Sequence, residues 1–184
     1  MTIDPREAAS ALSDIDAVVR RVKQSRFYNL ASLMLIWWGA LVAVGYVASH
    51  LMPRQAGYVW IAIYLAGIAG SIAIGAFTRA RSGVRTFDLR IFAALMLFIG
   101  FGVLCTLGLA HFNGRQLGTF WPIYFMMAYA IVGLWFGSAF VVIGLGITAL
   151  TLIGYFFAGD WFELWMAVVD GGGLMLGGLW MRRS

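Results

Sequence analysis

Charge is what this sequence has least of. Only 11% of its 184 residues are Asp, Glu, Lys or Arg and 62% are hydrophobic. An ordinary soluble domain carries about 25% charged residues, so the composition excludes one and points to a membrane protein. The single cysteine, Cys105, lies inside an apolar stretch; an intrachain disulfide is excluded and the redox compartment is unmarked. GxSxG, HExxH, a Walker or dinucleotide glycine loop and paired intramembrane aspartates are all missing, so neither catalysis nor a cofactor is expected. There is no long basic run, and the net charge of +5 does not point to nucleic acid. No cleavable signal peptide is expected either, because the first apolar run begins near Leu30 and is long enough to stay in the bilayer.

Six apolar segments run over approximately 29–50, 58–77, 91–111, 120–136, 139–157 and 162–181, each near the ~20 residues a bilayer requires. The expected fold is an all-α integral membrane bundle of six transmembrane helices in a domain spanning 28–184, preceded by an amphipathic cytoplasmic helix over 1–27. In that first helix Asp4 is placed to cap, Pro5 suits the first helical position and Glu7 closes a capping box. Ala8, Leu12, Ile15, Val19 and Val22 form its apolar stripe. Between the fourth and fifth segments only Gly137 and Ser138 intervene, which predicts a tight turn, because the combined run is too long for one span. Short echoes (Ala31–Leu35 with 93–97, His50 and Trp60 with His111 and Trp121, Gly45-Tyr46 with Gly154-Tyr155) fit three tandem helical hairpins.

Of thirteen basic residues, all but Arg54 and Arg115 fall on one side of such a bundle. They are Arg6, Arg20, Arg21, Lys23 and Arg26 before the first segment, Arg79, Arg81, Arg85 and Arg90 after the second, and Arg182 and Arg183 at the end. The positive-inside rule then predicts both ends in the cytoplasm, in a bacterial inner membrane. The lipid bilayer is the expected partner, with a second copy or a membrane complex besides.

The last segment carries the sharpest candidate. Trp161 and Trp180 are nineteen residues apart, about 28 Å on a helix, the spacing of two interfacial belts. Asp170 falls midway, where a charge costs a few kcal/mol or more. At ~100° per residue, Glu163, Met166, Asp170, Gly173 and Gly177 share one stripe, while Leu164, Val168, Met175 and Leu179 take the opposite arc. The acid is therefore expected to face the protein, beside a Gly173–Gly177 groove for a neighbouring helix. Asp170 and Glu163 are the candidates for handling a proton or cation; the plainer alternative is an acid hydrogen-bonded to a carbonyl or to a hydroxyl such as Ser71, Thr106, Thr148 or Thr151. Gly171, Gly172 and Gly173 are expected to weaken the helix at that point.

Gly67, Ser71 and Gly75 line one face of the second helix and predict close packing. His50 and His111 fall at the same membrane face as Asp160 and Glu163, a weak metal candidate against simple helix-end histidines. Trp37 and Trp38 lie deeper than a belt and predict a cavity lining or a helix contact. Two functions follow: conduction or transport of a small solute or ion through Asp170, or a non-catalytic subunit, sensor or scaffold acting through the cytoplasmic helix and the basic loop.

Overall fold

The structure, a computed structural model, describes residues 5–82, 89–109 and 111–183. Asp4 and Arg85 lie outside these residues. The side chains of 5–27 and 79–82, which include the apolar stripe expected on the N-terminal helix, also lie outside what is described.

Helix accounts for almost all of it. The elements are α1 (Pro5–Leu51), α2 (Ala56–Ser82), α3 (Leu89–Val103), α4 (Gly114–Phe136), α5 (Ser138–Phe157), α6 (Phe162–Met166) and α7 (Gly173–Arg183). A π segment, Leu104–Leu109, extends α3, and a second, Ala167–Gly172, joins α6 to α7. Five stretches among the described residues are long and apolar enough to cross a membrane: Tyr28–Leu51, Pro53–Thr78, Gly114–Phe136, Ser138–Phe157 and Gly159–Arg182. The α3 region contributes a shorter apolar helix, Phe92–Gly108.

Where a separate N-terminal helix was expected, α1 runs unbroken for 47 residues. The reason is local: between Arg20 and Leu30 there is neither Gly nor Pro, so polarity changes there without any residue that stops a helix. The α4–α5 turn is as short as a chain allows. Phe136 ends one helix, Ser138 begins the next, and Gly137 adopts φ 139° and ψ 150°, a conformation that favours glycine. Tyr28 closes the turn by donating its hydroxyl to the Phe136 carbonyl at 3.0 Å.

Neighbouring helices run antiparallel, as cross-contacts show. Tyr28 bonds near the end of α4 and Tyr46 near its start, where its hydroxyl donates to the Gly118 carbonyl at 2.7 Å. On the α6–α7 rod, Gly178 meets Ser32 and Leu35 while Gly171 meets Ala43, so α1 is antiparallel to that rod. Ser32 Oγ donates to the Gly178 carbonyl at 2.6 Å. The opposite flank of the rod packs on α5, with Gly173 on Ile147 and Gly177 on Ile143. Leu35, Met126, Phe140, Ile143, Ile147, Val169 and Leu174 unite α1, α4, α5 and the rod in one buried core. In lipid no hydrophobic effect drives helices together; close backbone approach at small residues supplies the contact energy instead.

The other two helices are outriders. α2 lies on α1 through two tryptophans that fill grooves left by glycines: Trp38 at Gly67 and Trp37 at Gly70. Trp38 Nε1 donates to Ser71 Oγ at 3.0 Å. α3 leans on α4 through a stacked Phe98–Tyr124 pair, ring centroids 4.2 Å apart, and the Tyr124 hydroxyl donates to the Phe98 carbonyl at 2.9 Å. One contact recurs in each consecutive hairpin, a tryptophan of the second helix laid on a glycine of the first: Trp60 on Gly45, Trp121 on Gly102 and Trp165 on Gly154.

Candidate functional site

Asp170 sits inside the π segment of the α6–α7 rod. Glycine lacks the side chain that stiffens a helix, and at Gly171–Gly173 the rod widens to i→i+5 pairing rather than breaking. The Gly173 N–H is shared by the carbonyls of Val168, Val169 and Asp170. Close contact locks the widened turn in place. A methyl on Gly39 would stand 2.7 Å from the Gly171 carbonyl oxygen, and one on Gly171 would stand 2.6 Å from Ala43 Cβ.

Asp170 is 5% exposed and so faces the protein. The adjacent residues show which way. Gly171 and Gly178 lie on α1 and Gly173 and Gly177 on α5, so Asp170 points into the crevice between those helices. Three tyrosines from other helices, Tyr46 on α1, Tyr64 on α2 and Tyr129 on α4, lie within its electrostatic reach. Among the described residues no Lys, Arg or His pairs with it.

At the end of the bundle where α1 finishes and α6 begins, Glu163 Oε2 lies 3.9 Å from His50 Nδ1. The His50 ring stacks on Trp161, centroids 6.3 Å apart. Tyr46, one turn before His50 on α1, is within electrostatic reach of both Glu163 and Asp170. Next to it Arg115 donates to the carbonyls of Tyr155 at 2.7 Å and Gly154 at 3.3 Å. Its guanidinium lies 5.1 Å from the Phe162 ring centroid and 5.6 Å from that of Tyr155. A cation is well placed there, at the negative end of the α5 dipole, where the last carbonyls of a helix have acceptor capacity to spare.

The remaining candidates divide. Gly67 and Ser71 both touch Trp38, whereas Gly75 faces open space. His111 is exposed in the link before α4, beyond the π segment that ends the preceding helix, and was expected to end that helix itself. The structure brings His50 to Glu163, and no group of three or more His, Cys, Asp or Glu side chains suited to a metal exists among the described residues. Tyr46, Tyr129 and Arg115 were not singled out from the sequence as site residues. For Tyr129 the available signal was a phenol near mid-helix, away from an interfacial belt.

Two surface hollows accompany these features. One, about 300 Å³, lies between α5 and α7 and is lined by Val142, Gly146, Leu150, Leu176 and Trp180 among others. The other, about 670 Å³, runs along α3 from Phe92 to Leu104. Both are walled by apolar residues and glycine, and Asp170 lines neither. Known protein families, curated proteins and solved structures were each compared with the chain, and none matches.

Proposed function

We propose that the protein is a six-span bacterial inner-membrane protein, with both ends of its membrane unit cytoplasmic, that moves protons or a small cation with Asp170 as the exchanging group. The observation that carries this reading is the placement of Asp170: a carboxyl group at 5% exposure, in a π turn at mid-bundle, with tyrosines of three other helices in its field. An acid in that position costs a few kcal/mol if charged. π turns also concentrate at functional sites. The His50–Glu163 end is the approach in this reading, with Tyr46 in the electrostatic field of both Glu163 and Asp170. The α3 region is the sixth span in this reading: α3 and its π extension together form one helical rod over 89–109.

The test is proton flux in reconstituted vesicles under an imposed pH gradient. Asp170→Asn keeps the shape and hydrogen-bonding capacity of the side chain while removing its titration. Flux in the wild-type protein that D170N abolishes, with folding intact, supports the reading. Equal flux in both proteins, or none in the wild type, rejects it.

The second reading, a sensor or subunit working through its N-terminal arm, draws support from the continuity of α1, which joins that arm directly to the helix that grips the Asp170 turn. Deletion of residues 1–25 separates the two. Flux through Asp170 survives the deletion in the first reading, and partner-dependent activity is lost with it in the second.

A further inference from the structure

Five hydroxyls on these helices are satisfied within their own helix. Ser49, Thr78, Thr106, Thr119 and Thr148 each donate to the carbonyl four residues back, at 2.8–3.0 Å. That is the usual way for a helical hydroxyl to satisfy itself in an apolar medium. Thr151 does not. It is 0% exposed, and its Oγ1 has no hydrogen-bond partner among the described residues. An unpartnered buried hydroxyl costs about 1–3 kcal/mol, so it calls for an explanation.

Its position supplies one. Along the α5–rod contact Ile147 lies on Gly173 and Gly154 lies on Trp165. Thr151 is four residues from the first and three from the second, which sets it level with 166–170 of the rod. By helical phase it points between the rod-facing Ile147 and the α4-facing Gly144, into the interior. Asp170 enters the same interior at the same level from the rod.

We infer that Asp170 and Thr151 form the core of a binding site for a small monovalent cation, sodium or lithium, that displaces the Asp170 proton. The donor set is all oxygen, which suits a hard cation. It carries a single carboxylate: Glu163 lies about 10 Å away along the rod. One negative charge balances one positive charge in a low-dielectric interior, and a divalent ion would be left uncompensated. The groups whose protonation bears on the exchange are Asp170 and Glu163 on the rod, Tyr46 on α1, Tyr64 on α2 and Tyr129 on α4. This inference rests on the reading of Asp170 as an exchanging group and narrows it to the ion.

The test uses the full-length protein in detergent, with thermal unfolding followed in sodium, lithium and choline chloride at equal ionic strength. Sodium at a hundredfold excess over its half-maximal concentration should raise the wild-type midpoint by about 5 °C relative to choline. D170N should abolish that rise, Thr151→Val should raise the half-maximal sodium concentration at least tenfold, and Thr151→Ser should restore it. A midpoint that is the same in sodium and choline, or a T151V protein with wild-type sodium dependence, overturns the inference. If T151V fails to fold, ²³Na binding to the wild type and D170N decides: equal binding overturns the site and loss in D170N supports it. D170N-sensitive proton flux in vesicles without any sodium response removes the cation site alone and leaves the proton reading standing.

Discussion

His50 Nδ1 stands 3.9 Å from Glu163 Oε2, and this pair joins the end of α1 to the beginning of α6. Their side chains are 34% and 38% exposed, and the separation is longer than a hydrogen bond. Such a pair is worth at most about 1 kcal/mol. A double-mutant cycle of His50→Ala and Glu163→Gln, read by unfolding in detergent, should therefore give a coupling below that value. E163Q should leave stability within about 0.5 kcal/mol of wild type, so any change in flux it causes reports on function. A coupling of several kcal/mol would show that the pair is structural.

Trp38 occupies the groove left by Gly67, whereas no atom approaches the site of a methyl on Gly75. Gly67→Val should expel the indole from its bond to Ser71 and destabilise the α1–α2 contact by about 1–3 kcal/mol. Gly75→Ala should be neutral or stabilising by up to about 1 kcal/mol through helix propensity alone. Side-by-side unfolding of the two variants checks the contrast; equal losses would place α2 elsewhere on α1.

Gly137 has φ 139° and lies under the Tyr28 hydroxyl. Gly137→Ala should cost about 1–3 kcal/mol from backbone strain, with further loss if the Tyr28 bond to Phe136 breaks. Tyr28→Phe measures the bond alone, about 1 kcal/mol. The outcome that would count against this account is a G137A protein no less stable than Y28F.

Arg115 holds the end of α5 with two charge-assisted bonds and lies over two rings. Arg115→Gln should cost about 1–3 kcal/mol, and Arg115→Lys should recover only part of it, because an ammonium does not stack on the Tyr155 and Phe162 rings as a planar guanidinium does. Full rescue by lysine would reduce the role of this residue to its charge.

For orientation, cysteines introduced at Arg54 and Ser82, with Cys105 replaced, should label from opposite sides with a membrane-impermeant maleimide. Arg54→Cys reacts from outside and Ser82→Cys only after permeabilisation, if both ends of the bundle are cytoplasmic. Labelling of Ser82→Cys from outside reverses the topology.

Much of the fold was readable because bilayer thickness sets helix length and glycine marks close approach. The apolar runs delimit α5 within one residue and fall short of α2 by five residues at its end and of α4 by six at its start, and the lone Gly137–Ser138 link announces the tight turn. Helical phase alone puts Asp170, Gly173 and Gly177 on one side of the last rod, and in the structure Asp170 is buried while both glycines lie on α5. The division at residue 27 was a judgement from polarity, and backbone chemistry offers no break there, hence one long α1. Three glycines signal a weak helix, but whether it breaks, kinks or widens depends on Ala43 and Gly39 pressing from α1, which no local pattern contains. For the same reason the meeting of His50 with Glu163, and of Arg115 with the end of α5, could not be read locally: each joins segments far apart in the chain.

The continuity of α1 has a mechanical consequence. At 1.5 Å per residue its 47 residues make a rod about 70 Å long, of which the part before Tyr28 extends about 34 Å. Gly39 and Ala43, pressed against the π turn, are where a fulcrum of this lever would lie. A tilt of about 5° at that fulcrum displaces the far tip of the arm by several ångströms. In the proposed function, occupancy of the Asp170 site would reach the far end of α1 as a displacement large enough to make or break a contact there.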